Sequence, residues 1–351
     1  MKAAFISVVP SPYQSDIFHV LAQRSEIELS VFYLDANTPE SPWPRKPLES
    51  YESILPGFWF RLGSGRCYVN WPPNLREFDV VVLNTIMSVT AQWLIRMALR
   101  KKPWFFWGER LGQGNGLQAR GAAALHRATG IAAIGSFAED DYRARFPEPR
   151  LFCIPYHCSL QAFLATPRRP RTDGQVVFLF CGQMIARKGV DLLFTAFQRL
   201  GGGASLLLLG PEAQLPDFLA PLPPEVRVRI EYAGFQAPED LPKFFARADV
   251  FILPSRYDGW GVVVNQALGA GLPIICSDMV GAGRDLMEEE VNGLRFPAGD
   301  AAALADRMQR FLDQPSLIES WGKASRRRAE HWTPEAGAAK WIDAFQSVLG
   351  Q

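Results

Sequence analysis

This chain has no C-x-x-C pair, no Asp-x-Asp element and no excess of either charge. Of its five cysteines, Cys67, Cys153, Cys158, Cys181 and Cys276, most lie in or beside apolar runs. That usage favours buried, reduced thiols over a redox or metal site and points to a reducing compartment. No uninterrupted apolar run approaches the ~18 residues of a membrane-spanning helix. The apolar stretch at 2–9 is halted by Pro10 and Pro12 and lacks a small-residue cleavage site, so it reads as a first β-strand rather than a leader. A soluble cytoplasmic protein is expected. With 37 basic and 36 acidic side chains and a net charge of +1, bulk electrostatics supplies no nucleic-acid partner, though local patches stay open.

What is present is a two-part alternation of apolar runs and amphipathic segments. At 351 residues, 48% hydrophobic and 21% charged, the chain is a globular protein too long for one ordinary core. Strands are expected at 2–9, 28–34, 79–84, 103–107, 131–135 and 151–155, with helices at 14–24, 88–101, 118–129 and 138–146 between several of them. Residues 37–73 form a proline- and aromatic-rich insertion with one candidate strand at 58–62, of a length that usually serves as a binding loop or lid. A polar, proline-bearing linker at 166–175 precedes a second series, with strands at 176–181, 205–209, 229–233, 250–253, 274–277 and 294–296. Its helices are expected at 190–200, 238–248, 261–270 and 301–312.

Strands that are apolar throughout and separated by helices indicate parallel sheets covered on both faces. The fold class is therefore α/β, as two doubly wound Rossmann-like domains facing across a cleft, with domains at 1–165 and 176–332. A final helix at 333–351 has Thr333 as N-cap, Pro334 in the first turn and an apolar stripe through Trp341 and Phe345.

The most informative stretch is Leu253-Pro254-Ser255-Arg256-Tyr257-Asp258-Gly259-Trp260-Gly261-Val262 and the helical segment that follows it. A strand, a glycine-bearing turn and a helix start offer free N–H groups to an anion. Asp258 stands at the mouth of the turn, and Gln266 lies eight residues on, about two helical turns deeper. That spacing suits a ligand with phosphate at one end and hydroxyls along its length, such as a nucleotide-sugar. Gly182-Gln183-Met184-Ile185-Ala186-Arg187-Lys188-Gly189 follows the first strand of the second series, and Lys188 places a compact positive charge where a diphosphate would lie. Taken alone, an exposed lysine at a helix start is usually just solvated; the loop after 250–253, at the same sheet edge, gives it weight.

Several blocks recur in order. They are Phe180-Cys181-Gly182-Gln183-Met184 with Arg187-Lys188-Gly189-Val190-Asp191, then Ala248-Asp249-Val250-Phe251-Ile252-Leu253-Pro254-Ser255, then Gly269-Ala270-Gly271-Leu272-Pro273-Ile274, and last Asn292-Gly293-Leu294 with Pro297-Ala298-Gly299-Asp300. Through them, residues 176–314 resemble the second domain of retaining, GT-B fold glycosyltransferases of family 4. The first domain resembles that family more loosely, through Pro10-Ser11-Pro12-Tyr13 and Ile154-Pro155-Tyr156. The resemblance implies a metal-independent enzyme that moves a sugar, with retention at the anomeric carbon, from a nucleoside diphosphate sugar to a glycan, lipid-linked or small-molecule acceptor. Cell-surface polysaccharide or glycoconjugate synthesis is the setting it implies. It also implies that the final helix crosses back onto the first domain.

The resemblance assigns Lys188 and Asp258 to catalysis and Gly182, Gln183, Arg187, Gly259, Trp260, Gly261, Val262 and Gln266 to the donor. Three positions depart from the family pattern. Its Glu-x7-Glu pair is here Asp258 and Gln266, and Gln183 stands where an arginine on the diphosphate is usual, with Arg187 or Arg256 as nearby substitutes. A neutral hydrogen bond in place of a charged one costs ~1–2 kcal/mol. The rival reading that these changes support is a catalytically impaired sugar-nucleotide-binding protein; an epimerase of the same fold is a weaker rival.

In the first domain, Trp107-Gly108-Glu109-Arg110 follows a strand, and Glu109 reads either as a general base or as an ion-pair partner of Arg110. Glu139-Asp140-Asp141 reads as acids at a helix start rather than as metal ligands, so no metal or other cofactor is expected. His157 and His19 read as structural. The segment 93–102, apolar with a basic end, is either a sheet-covering helix or a peripheral contact with the inner face of a membrane.

Overall fold

A computed structural model describes residues 1–38, 47–63, 65–111, 116–168 and 174–350. The expected linker at 166–175 and the insertion at 37–73 therefore lie partly outside the described residues. By compactness the chain divides into two units, Met1–Cys158 with Pro334–Gln351, and Ser159–Thr333. The division falls seven residues before position 165, and the short helix Gln161–Ala165 goes with the second unit. Phe163 explains why: its ring meets Phe245 edge-on at 5.3 Å, and it is buried.

Among the described residues the first unit has nine strands: β1 (Lys2–Ser7), β2 (Glu28–Tyr33), β3 (Glu52–Ile54), β4 (Gly57–Leu62), β5 (Gly65–Asn70), β6 (Val80–Leu83), β7 (Trp104–Gly108), β8 (Gly130–Ala133) and β9 (Arg150–Cys153). Seven form one sheet in the order β3-β2-β1-β6-β7-β8-β9, every pairing parallel. The remaining two, β4 and β5, pair antiparallel as a separate hairpin. Runs such as Val80–Leu83 and Trp104–Gly108 are buried at every position, as a sheet covered on both faces requires.

The chain's final helix, Pro334–Leu349, is part of this core. Trp341 is fully buried, its ring 5.1 Å from Phe5 and 5.3 Å from Trp107, both edge-on. Phe345 packs 5.5 Å from Phe105. Gly337 permits the approach, since a Cβ there would stand 2.7 Å from His157 Cβ.

The second unit has six parallel strands: β10 (Val176–Cys181), β11 (Ala204–Leu209), β12 (Ile230–Tyr232), β13 (Val250–Leu253), β14 (Ile274–Ser277) and β15 (Gly293–Phe296). Their order is β12-β11-β10-β13-β14-β15, so the sheet runs outward from β10 in both directions. The connection from β10 goes one way and that from β13 the other. Between them lies the switch point where doubly wound sheets take ligands, just beyond the carboxyl ends of the strands. The expected fold class, α/β with two doubly wound Rossmann-like sheets, is the one observed. Helix starts were less accurate: the segment expected from Gly261 becomes helical only at Val263. The helix Ser316–Ala329 was not anticipated; its many charges mask its apolar face. Among the described residues no helix is long and apolar enough to cross a membrane.

Candidate functional site

At the switch point of the second unit, two loops are locked together by backbone contact. Gly189, at φ +74°, lies so close to the other loop that a Cβ would stand 2.0 Å from the Pro254 carbonyl oxygen. No L side chain fits there, so the glycine ending the 3-10 turn Ala186–Lys188 is what lets the loop after β10 touch the loop after β13. Gly210, at φ +132°, does the same on the other flank, where a Cβ would meet the Gly182 carbonyl oxygen at 2.0 Å. Between these points the chain is pinned by Met184 N–H donating to the Pro211 carbonyl and Gln214 N–H donating to that of Met184, at 3.1 and 2.9 Å.

This packing brings Lys188 and Asp258, 70 residues apart in sequence, into direct contact: Lys188 Nζ lies 2.5 Å from Asp258 Oδ2. Both side chains are largely enclosed, with 16% and 10% of their surface exposed. Ser255 Oγ donates to the same carboxylate oxygen at 3.4 Å. The backbone of Asp258 is fixed through its N–H to Met279 O and through its carbonyl, which accepts from Gly281 N–H, at 3.1 and 3.2 Å. Gly281 is again obligatory, because a Cβ would stand 2.3 Å from the Gly259 carbonyl oxygen. An ion pair this enclosed is costly to split by removing one partner. It also leaves cation and carboxylate side by side, where a ligand bearing both phosphate and hydroxyls would divide them between its own groups.

Gln266 sits on the helix Val263–Gly269, buried, and its Oε1 has no hydrogen-bond partner among the described residues. An amide oxygen buried without a donor is rare enough in a native interior to need a reason. The amides of Gly261, Val262 and Val263 likewise reach no acceptor among the described residues, as expected of a helix's first turn.

The other expected donor contacts divide. Gly182 and Gln183 are half-buried at the end of β10, and Gly259 is buried beside Asp258. The side chain of Trp260 is fully buried, stacked on Trp332 at 6.1 Å, with its indole N–H donating to Asn265 Oδ1 at 2.9 Å. It anchors the turn from beneath and has only its backbone to offer a ligand. Arg256 is also committed elsewhere, forked onto both oxygens of Asp191 at 2.7 Å. That guanidinium holds the Asp191 carboxyl below its ordinary range. Arg187 is exposed and donates to the Tyr257 carbonyl at 3.1 Å. Lys188 is thus the cation that the loop packing places within the site.

Glu109 belongs to the first unit, exposed at the end of β7, where its carbonyl accepts from Tyr142 Oη at 2.6 Å. Arg110 Nε lies 3.8 Å from Asp141 Oδ1. Burial and then the nearby Glu109 carboxylate raise the Tyr156 phenol well above its usual range. Asp141 also receives Arg145, and Glu139 receives Arg143, so these acids serve helix and loop packing. Among the described residues no group of three or more His, Cys, Asp and Glu is arranged to hold a metal ion. All five cysteines are free, with Cys181 and Cys276 pushed up to about 12 by burial. His157 is buried and its pKa falls to about 4, chiefly through desolvation, while its Nδ1 donates to the Pro155 carbonyl at 2.9 Å. His19 is exposed and pairs with Gln23 on its own helix at 2.8 Å.

The fold, two Rossmann-like α/β units in one chain, is shared with solved structures that include a sucrose-phosphate synthase and a lipopolysaccharide outer core galactosyltransferase. Residues 166–328 match the family model described as Glycosyl transferases group 1. The chain is 26% identical over 210 residues to the alpha-D-kanosaminyltransferase of Streptomyces kanamyceticus, a match covering 56% of this chain and 54% of that protein. The chain spans about half the length, or less, of the curated relatives it matches. Among solved structures, the sucrose-phosphate synthase of Thermosynechococcus elongatus superimposes with a TM-score of 0.77 at 20% identity, over 100% of this chain and 99% of that one. HepE of Anabaena, in complex with UDP, gives 0.75 at 14% identity, over 99% and 100%.

Proposed function

We propose that this protein is a retaining glycosyltransferase of the family 4 kind, moving a sugar from a nucleoside diphosphate sugar to a glycan, lipid-linked or small-molecule acceptor, in synthesis of a cell-surface polysaccharide or other glycoconjugate. The observation that carries this reading is the enclosed Lys188–Asp258 pair that two loops bring together at the switch point, with Gln266 on the helix that follows. Lys188 would leave Asp258 for the diphosphate and stabilise the negative charge that grows there as the glycosidic bond breaks. The Asp258 carboxylate, released, would accept from hydroxyls of the donor sugar. Gln266 Oε1 would accept from a ribose hydroxyl, and the amides at 261–263 would face the phosphates. A phosphate oxygen of the leaving group would take the acceptor's proton on the same face. The chemistry assigned to these residues requires no metal. Because structures of HepE hold UDP and UDP-glucose, uridine nucleotides are the first donors to try.

The neutral Gln266 and Gln183 support a second reading, a protein that binds the nucleotide-sugar without turning it over. Thermal-shift measurements with UDP, GDP, ADP and dTDP and their sugars test the class, since stabilisation follows occupancy. One nucleotide series should raise the melting temperature, and no shift with any of them would remove the reading. Nucleoside diphosphate release in the presence of acceptors then separates enzyme from binding protein. Unchanged turnover in Glu109→Gln would end the candidacy of Glu109 as general base.

A further inference from the structure

Of the fourteen exposed large apolar side chains among the described residues, nine fall on two segments of the first unit, 57–71 and 87–102. The hairpin strand β4 is exposed at all six positions, so it buries neither face. Alternation along a strand puts Phe58, Phe60 and Leu62 on one face, and they are 56%, 41% and 56% exposed. Trp71 packs beside Phe58, ring centroids 6.4 Å apart, and is itself exposed.

The second segment is joined to the first at its base. Asn70 N–H donates to Thr90 Oγ1 at 2.7 Å, and Thr90 Oγ1 donates to the Tyr68 carbonyl at 3.4 Å. From that junction the helix Val89–Trp93 runs into a π-helical turn, Leu94–Ala98, that leaves Trp93 and Met97 half or more exposed. Exposed apolar side chains concentrated on two joined segments in this way mark a binding surface.

Its charge selects the occupant. The two segments contain six basic residues and no acidic one. Arg61 and Arg66 stand directly opposite each other across the hairpin, an unfavourable like-charge pair. Asp35 answers only Arg66, at 3.0 Å, and Arg61 has no ion-pair partner among the described residues. Arg66 also lies over the Trp59 ring at 4.1 Å. At the end of the second segment, Arg100 and Lys101 are exposed. A second copy of this chain docking face to face would set these cations against their own kind. An anionic bilayer does not: its headgroups take the arginines and lysines, its acyl boundary takes Phe and Leu, and tryptophan suits the level between.

We propose that the hairpin Gly57–Asn70 and the segment 87–102 form one peripheral docking surface for an anionic lipid bilayer. It stands on the first unit alone and does not depend on the nucleotide-sugar chemistry of the second.

The test is flotation of the full chain with vesicles of phosphatidylcholine alone and of equal parts phosphatidylcholine and phosphatidylglycerol, at low and physiological salt. The proposal expects binding to the anionic vesicles, weakened by salt, with a blue shift of tryptophan fluorescence. The triple variants F58S/F60S/L62S and R61Q/R100Q/K101Q should each weaken binding at least tenfold. The sites are exposed, so melting temperature and any nucleotide binding should stay unchanged, which separates loss of docking from loss of fold. No binding of folded wild-type protein to anionic vesicles would overturn the proposal. So would binding indifferent to both triple variants, or sedimentation showing that the apolar triple instead dissolves a dimer.

Discussion

Lys188 and Asp258 illustrate what loop packing can do for one pair of residues. Their 2.5 Å contact keeps two enclosed charges compatible with folding. Gln266 is the neutral member of the group, and its buried oxygen lacks a donor. Gln266→Glu should therefore tighten nucleotide-sugar binding by about 1–2 kcal/mol, or roughly tenfold, by turning a neutral acceptor into a charged one. It should also lower the stability of the unliganded protein, because the new carboxylate is buried without a partner. Calorimetric titration and chemical denaturation of the same variant read the two effects, and a variant that binds more weakly would refute the assignment.

His157 gives a pH dependence with a definite sign. Its folded pKa of about 4 lies below the ordinary 6.5, so the unfolded chain binds the extra proton first. Its contribution is fully present above pH ~6.5 and is lost as pH falls toward 4, by up to about 3 kcal/mol. Urea midpoints measured from pH 8 to pH 4.5 should fall along that window in the wild type and less steeply in His157→Gln.

At the scale of elements, legibility followed burial. Runs such as Val176–Cys181 and Val250–Leu253 are apolar at every position because helices cover both faces of their sheets, and their bounds were readable to the residue. The helix after Gly261 starts two residues late because Gly261, at φ +86°, must complete the turn first. The hairpin was only half visible. Phe58–Leu62 reads as a strand, but its partner Gly65–Asn70 alternates weakly, with Arg66 and Asn70 among its six residues. The role of Trp260 was hidden because its stacking partner Trp332 lies 72 positions away (332 − 260). Nor does any local pattern join Lys188 to Asp258; only the parallel pairing of β10 with β13 does so.

The final helix shows how much a single element can carry. Trp341 touches Phe5, Phe105 and Trp107 in the core of the first unit. Trp341→Ala should cost about 3–5 kcal/mol, the usual range for emptying a buried tryptophan site. Because Trp341 belongs to the first unit, the loss should appear in that unit's unfolding and leave nucleotide binding by the second intact. Differential scanning calorimetry with and without nucleotide would show it.

Across the whole molecule, the two units carry different kinds of information. The second holds recurring loops fixed by glycines that no other residue replaces, which is why its sequence pointed to a ligand class. The first presents an aromatic and basic surface whose meaning emerges only once the hairpin and the helix at 89–93 are seen side by side.

The central claim is that the crevice between β10 and β13 holds a nucleoside diphosphate sugar through Lys188. Calorimetric titration of the stabilising nucleotide into wild-type protein and Lys188→Ala tests it most directly. The account predicts one site per chain and, for the variant, a loss of about tenfold to a hundredfold, the value of a charge-assisted hydrogen bond. Equal affinity in the two proteins, with the variant folded, would contradict it.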